Sequence, residues 1–171
     1  ALTVADTTAP TVPSNLAVTP VSSTQVNVSW TAATDNVGVT GYRLARCTGV
    51  GCVNLALLTT VATTGYSDTG LTAATSYSYR LRATDGAGNL SGYSVVVGAT
   101  TLADTTGPTV PSNLAVTPVS SSRVNVSWTA ATDNVGVTGY QIERCTGAAC
   151  TAYAQVGTAS GTSYGNTGLA A

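Results

Sequence analysis

Residues 6–42, DTTAPTVPSNLAVTPVSSTQVNVSWTAATDNVGVTGY, return as residues 104–140 with three differences in 37 positions: Ala9/Gly107, Thr24/Ser122 and Gln25/Arg123. The offset is 98 residues, as the two tryptophans show (128 − 30). A tandem repeat fixes the number of folding units before any motif is read. A unit of this length is large enough to bury a core unaided, yet small enough to gain from a covalent staple.

The repeat sets the expected boundaries. Residues 1–5 (ALTVA) align with 99–103 (ATTLA), so 1–9 read as a linker or the end of a preceding repeat. The first domain is expected over 10–101, a proline-containing linker over 102–111, and a partial second domain over 112–171. Pro10 and Pro13, and their copies Pro108 and Pro111, fix φ and remove a donor, so both segments should run extended and stiff.

Within the first repeat the apolar period is two. Leu16 and Val18 alternate before Pro20, an edge-type strand. Val26, Val28 and Trp30 alternate with Asn27 and Ser29. Asp35-Asn36-Val37-Gly38 is a turn. Tyr42 and Leu44 should face one way, Arg43 and Ala45 the other. Further strands are expected over 55–61, around Tyr66, over Tyr77-Tyr79-Leu81-Ala83, and from Tyr93 to Ala99. No window supports an amphipathic helix. Seven short strands at this spacing indicate an all-β sandwich of immunoglobulin-like type.

These residues resemble a known family. Pro13-Ser14-Asn15-Leu16, Trp30, Gly41-Tyr42-Arg43-Leu44 and Tyr77-Ser78-Tyr79-Arg80-Leu81-Arg82-Ala83 are similar to tandem fibronectin type III domains of the bacterial secreted or surface kind. Leu71 to Tyr77 matches that family's tyrosine corner, with Tyr77 as the corner residue. The resemblance covers nearly all of 10–101. In the second copy it covers Pro111, Trp128 and Tyr140 and then stops, because Ala171 aligns with Ala73. Strands F and G are therefore expected to be missing from the second domain. Either a longer array supplies both strands in its next residues, which is the expectation, or a neighbouring subunit donates them, with Leu2 and Val4 alternating like a strand.

Composition narrows the function. The chain is 43% hydrophobic and 8% charged, with a net charge of −1, against roughly 25% charged in ordinary domains. Such a balance gives no electrostatic case for nucleic acid or an anionic membrane. No apolar run approaches the ~18 residues needed to span a bilayer.

Four cysteines form two equally spaced pairs, Cys47/Cys52 and Cys145/Cys150. Each pair sits where strands C and C′ should turn, and a disulfide within each repeat is the simple reading. Zinc is disfavoured because there is no histidine and the pairs lie on separate repeats. Two disulfides imply an oxidising compartment, hence an extracellular, secreted or cell-surface protein. Most members of the resembled family lack this staple.

Catalysis finds little material. The six cationic residues are all arginine and His is absent, so the commonest general base and Schiff-base chemistry are missing. Asp35 and Asp133 are repeat equivalents and cannot flank one bond. The poles of the sandwich are richer. The chain start, the B–C loop and the F–G loop share one end, gathering Asp6, Asp35, Asn36, Asp85 and Asn89. The second copy keeps Asp104, Asp133 and Asn134, and these are the calcium candidates at the end facing domain one, since oxygen ligands with surplus negative charge suit Ca²⁺. Asp and Asn in turns also bond their own backbone, and on that reading no metal and no cofactor is expected.

The F–G loop, Thr84-Asp85-Gly86-Ala87-Gly88-Asn89, lacks the Arg-Gly-Asp that serves integrin binding in animal relatives of the resembled family. Trp30, Tyr42, Tyr77, Tyr79, Trp128 and Tyr140 fall on inner faces and are expected in the core rather than on a sugar-stacking platform. Asn27, Asn89 and Asn125 head N-x-S sequons. The expected function is a non-catalytic extracellular spacer, structural or adhesion module. Its expected partners are further repeats or domains of a longer chain, or copies of itself in a fibre. The alternatives are an accessory domain of a bacterial carbohydrate-active enzyme and a subunit of an extracellular filament.

Overall fold

A computed structural model describes residues 4–170. The chain divides into two compact units between Asp104 and Thr105, inside the proline-containing segment. Leu2 and Ala171, used in the strand-donation and repeat-end arguments, lie outside the described residues; Val4 is exposed and outside any strand.

The first unit contains β1 (Ser14–Pro20), β2 (Gln25–Thr31), β3 (Val39–Thr48), β4 (Ala56–Val61), β5 (Gly65–Thr69), β6 (Ser76–Asp85) and β7 (Val97–Thr100). They form two antiparallel sheets, ordered β1-β2-β5 and β4-β3-β6-β7. Period-two alternation dictates which face each residue takes. Along β6 every second residue is buried, from Tyr77 through Tyr79, Leu81 and Ala83 to Asp85. Beside them on the same sheet are Tyr42 and Leu44 of β3, and across the core stand Val26, Val28 and Trp30 of β2. The tyrosine corner is formed: the Thr72 N–H donates to the Tyr77 hydroxyl at 3.0 Å.

Two details differ from the sequence reading. Ala45 is on the outward register of β3 but is buried, because its neighbours Arg80 and Leu57 are long enough to cover a methyl group. The last strand, expected from Tyr93 to Ala99, is only β7. Before it, Ser91 and Ser94 accept the β6 N–H groups of Ala83 and Leu81 on their hydroxyls, at 2.8 and 3.1 Å. Side-chain oxygens there replace the carbonyls of a regular ladder.

The second unit contains β8 (Ser112–Ser120), β9 (Arg123–Thr129), β10 (Tyr140–Arg144), β11 (Ala154–Ala159) and β12 (Ser163–Thr167). They form sheets β12-β9-β8 and β10-β11. No counterpart of β6 or β7 occurs among its described residues. Trp128 and Ile142 are buried. Tyr140, expected in the core, is only half-buried, because the strand that would lie beside β10 is missing. Pro111, Leu114, Val116, Val124, Val126 and Trp128 line part of an open trough of about 520 Å³.

Candidate functional site

The polar pole of the first unit is built by three turns. Asp35 Oδ2 accepts the N–H groups of Val37 and Gly38, each at 2.9 Å. Asp85 Oδ1 accepts those of Ala87 at 3.0 Å and Asn89 at 2.8 Å. Asn89 Nδ2 also donates to Asp85 Oδ2 at 2.7 Å. Asp6 Oδ1 accepts from Thr8 N at 3.0 Å and Asn36 Nδ2 at 3.2 Å. Asn89 Nδ2 reaches the carbonyls of Asp6 and Thr8 as well, at 3.2 and 3.3 Å, which ties the chain start to the β6–β7 turn. One carboxylate oxygen from each of Asp6, Asp35 and Asp85 lies within 4.8 Å of the other two. Burial acts to raise the Asp85 pKa, but the hydrogen bonds from Asn89, Gly88 and Ala87 outweigh it and hold it below the ordinary value.

The turn reading thus explains both oxygens of Asp85 but only one each of Asp6 and Asp35. Asp6 Oδ2 and Asp35 Oδ1 are closed off from solvent and accept no hydrogen bond. Asp104 falls in the first unit, Asp133 and Asn134 in the second. Asp133 Oδ1 accepts from Val135 and Gly136, both at 2.8 Å, and these bonds lower its pKa against a smaller effect of burial.

A buried ionic network was not read from the sequence. Asp68 on β5 is 2% exposed. It accepts from Arg46 Nη1 at 2.9 and 2.8 Å and from the Tyr79 hydroxyl at 2.8 Å. Burial and the bond to Asp68 push the Tyr79 hydroxyl well above its ordinary pKa. A buried charge persists only when paired and hydrogen-bonded, so this cluster explains itself as structure. The available signal was a lone Asp on the inward register of a strand.

Trp30, Tyr42, Tyr77, Tyr79 and Trp128 are in the core, whereas Tyr93 and Tyr153 are exposed. Trp30 meets Tyr42 edge-on with centroids 5.4 Å apart, and Trp128 meets Tyr140 at 5.2 Å. Tyr77 and Tyr79 are buried. The exposed face of β6 carries Arg80 and Arg82, which stack on Tyr93 at 3.9 and 4.8 Å. Cys47 is bonded to Cys52 and Cys145 to Cys150, the bridges closing the β3–β4 and β10–β11 loops. The outward sequon residues Asn27 and Asn125 are exposed.

The separation of Asp35 from Asp133 does not exhaust the carboxylates, since Asp6, Asp35 and Asp85 meet within one unit. A glycosidase-type pair requires one carboxyl held protonated by a raised pKa. Asp85 is shifted the other way. The arrangement gathers three carboxylates within one unit, and Asp85 is not the protonated member such a pair needs.

Two antiparallel sheets in the order β1-β2-β5 and β4-β3-β6-β7 define an immunoglobulin-like β-sandwich protein. Residues 10–99 match the fibronectin type III domain, and the chain belongs to that family. Its relatives include Chitinase A1 of Niallia circulans, 47% identical over 91% of this chain and 22% of that protein. Exoglucanase B of Cellulomonas fimi is 46% identical over 83% of this chain and 13% of its own length. The chain therefore spans about a fifth or less of these relatives. Among solved structures, the sixth fibronectin type III domain of human fibronectin type III domain containing protein 3 superposes with a TM-score of 0.50. It is 26% identical and covers 61% of this chain and 96% of that one.

Proposed function

We propose that this chain is a non-catalytic accessory module of an extracellular polysaccharide-degrading enzyme, acting as a spacer that separates functional domains. The observation that carries the proposal is the match of nearly the whole chain to a small part of proteins named chitinase and exoglucanase. This favours the enzyme-accessory reading over a free-standing adhesion module. The geometry agrees with it. Trp30, Tyr42, Tyr77, Tyr79 and Trp128 are buried, so they form no sugar-stacking platform. The two disulfides support an oxidising, extracellular setting. Two tandem units joined through a proline-containing segment are suited to hold flanking domains apart with less slack than a Gly/Ser linker.

The test places the chain between a chitinase or cellulase catalytic domain and a carbohydrate-binding domain. A flexible linker of equal reach replaces it in the control. A spacer raises turnover on insoluble polymer and leaves turnover on soluble oligosaccharide unchanged. Hydrolysis by the chain alone, or equal performance of the flexible control on insoluble polymer, would overturn the reading.

A further inference from the structure

We propose that the pole of the first unit is a calcium-binding site formed by Asp6, Asp35 and Asp85, with Asn36, Asn89 and the carbonyl of Thr8 as neighbouring oxygen donors. The three carboxylates come from segments far apart in sequence, the chain start, the β2–β3 turn and the β6–β7 turn, yet their oxygens approach within 4.8 Å. Like charges at this distance repel, and no Arg is paired with them among the described residues, where Arg46–Asp68 is the ion pair.

The second observation is independent of the clustering. Asp6 Oδ2 and Asp35 Oδ1 are shut off from water and accept no hydrogen bond, while Asp85, behind them, is 4% exposed. An ionised oxygen sealed from solvent with no partner is strongly disfavoured. A cation removes both problems together. The hydrogen bonds on the opposite oxygens fix the carboxylates in place, as outer partners of a metal site do. Asn89 is held by the carbonyls of Asp6 and Thr8 and by Asp85, which joins the chain start to the β6–β7 turn, and Asn36 Nδ2 donates to Asp6 Oδ1, which joins the chain start to the β2–β3 turn. An oxygen-only donor set with no His or Cys suits Ca²⁺.

The site has a structural consequence. A bound cation would clamp the segment before β1 to two loops of the sandwich, and so stiffen the entry to the domain. This inference does not depend on what the module serves.

The test uses the full chain, stripped with chelator and titrated with CaCl₂ by calorimetry, with unfolding midpoints measured in Ca²⁺ and in EDTA. Extracellular oxygen sites bind with Kd on the order of 10⁻⁴ to 10⁻³ M. Saturating Ca²⁺ should raise the midpoint of the first unit by roughly 5 °C. Asp6→Asn and Asp35→Asn should each weaken binding at least about tenfold, and neither should lower the midpoint in EDTA. Asp6→Asn lies before β1 and leaves the strands intact, so its result holds even if the turn variant misfolds. The absence of saturable binding up to about 10 mM Ca²⁺, binding undiminished in both variants, or an equal response to Mg²⁺ would each overturn the assignment.

Discussion

The two units share almost the same residues and the same local geometry, but not the same burial. Asn15 and Asn113 both take positive φ, 52° and 53°, and donate to Thr31 and Thr129 at 3.1 and 3.0 Å. The Ala33 and Ala131 N–H groups donate to the Tyr42 and Tyr140 hydroxyls at 3.1 and 3.0 Å. Yet Leu16 is 8% exposed and its copy Leu114 is 72% exposed. Pro10 and Pro13 are buried, whereas Pro108 and Pro111 are exposed. The difference is the presence of β6, β7 and the segment between them. Strand pairing and turns are local and follow from about 40 residues of sequence. Burial is collective, and an identical inner face stays open when its cover is missing.

The largest expected effect breaks the comparison at its centre. Trp30→Ala should cost about 3–5 kcal/mol, as a large-to-small change in a closed core. Trp128→Ala should cost clearly less, because its side of the sandwich opens on the trough. Calorimetric unfolding of each variant checks this, and equal losses would contradict the account.

Next comes the buried network. Asp68 has Asn166 as its counterpart, which accepts from Arg144 Nη1 at 3.4 Å. Asp68→Asn should destabilise the first unit by about 1–3 kcal/mol, because the Arg46 and Tyr79 donors lose a charged acceptor. The reverse change, Asn166→Asp, should alter the second unit by less than about 1 kcal/mol. Urea unfolding monitored separately for the two units distinguishes them.

Removing the Cys47–Cys52 bridge with a double serine variant should cost about 2 kcal/mol or less, since the closed loop is short. The equivalent change in the second unit should cost a similar amount, because a bridge within one loop does not depend on β6. Unequal losses would show that the loops differ in a way the disulfides do not explain.

The smallest effect is alkaline. The folded Tyr79 pKa is raised above its ordinary value of 10.0. Above that pH the unfolded chain releases a proton that the folded chain retains, so stability falls as pH rises. Its contribution is complete below about pH 9 and declines from about pH 10 upward. Tyr79→Phe should flatten that decline in the first unit, and an unchanged slope would contradict it.

Much of this was legible in the sequence, and the repeat explains why. Val26-x-Val28-x-Trp30 and Tyr77-x-Tyr79-x-Leu81 announce their faces by alternation, and the cysteine spacing announces its loops. Asp68 was hidden because its partners Arg46 and Tyr79 lie 22 and 11 residues away on two other strands. The pole was legible as a collection of turn residues but not as a site. Turn chemistry accounts for one oxygen each of Asp6 and Asp35, and only coordinates reveal that their other oxygen is buried without a partner. The shortened last strand was missed because Ser91 and Ser94 hydroxyls imitate backbone acceptors, which alternation does not register.

The central claim is that the missing pair of strands alone separates the two units. It is tested most directly by amide hydrogen exchange in β2 and β9, on the present chain and on one extended after residue 171 by a second copy of residues 74–101. In the present chain β2 should exchange at least about a hundredfold more slowly than β9. In the extended chain the two strands should exchange at similar rates. Equal protection in the present chain, or a β9 that stays unprotected after the extension, would contradict the account.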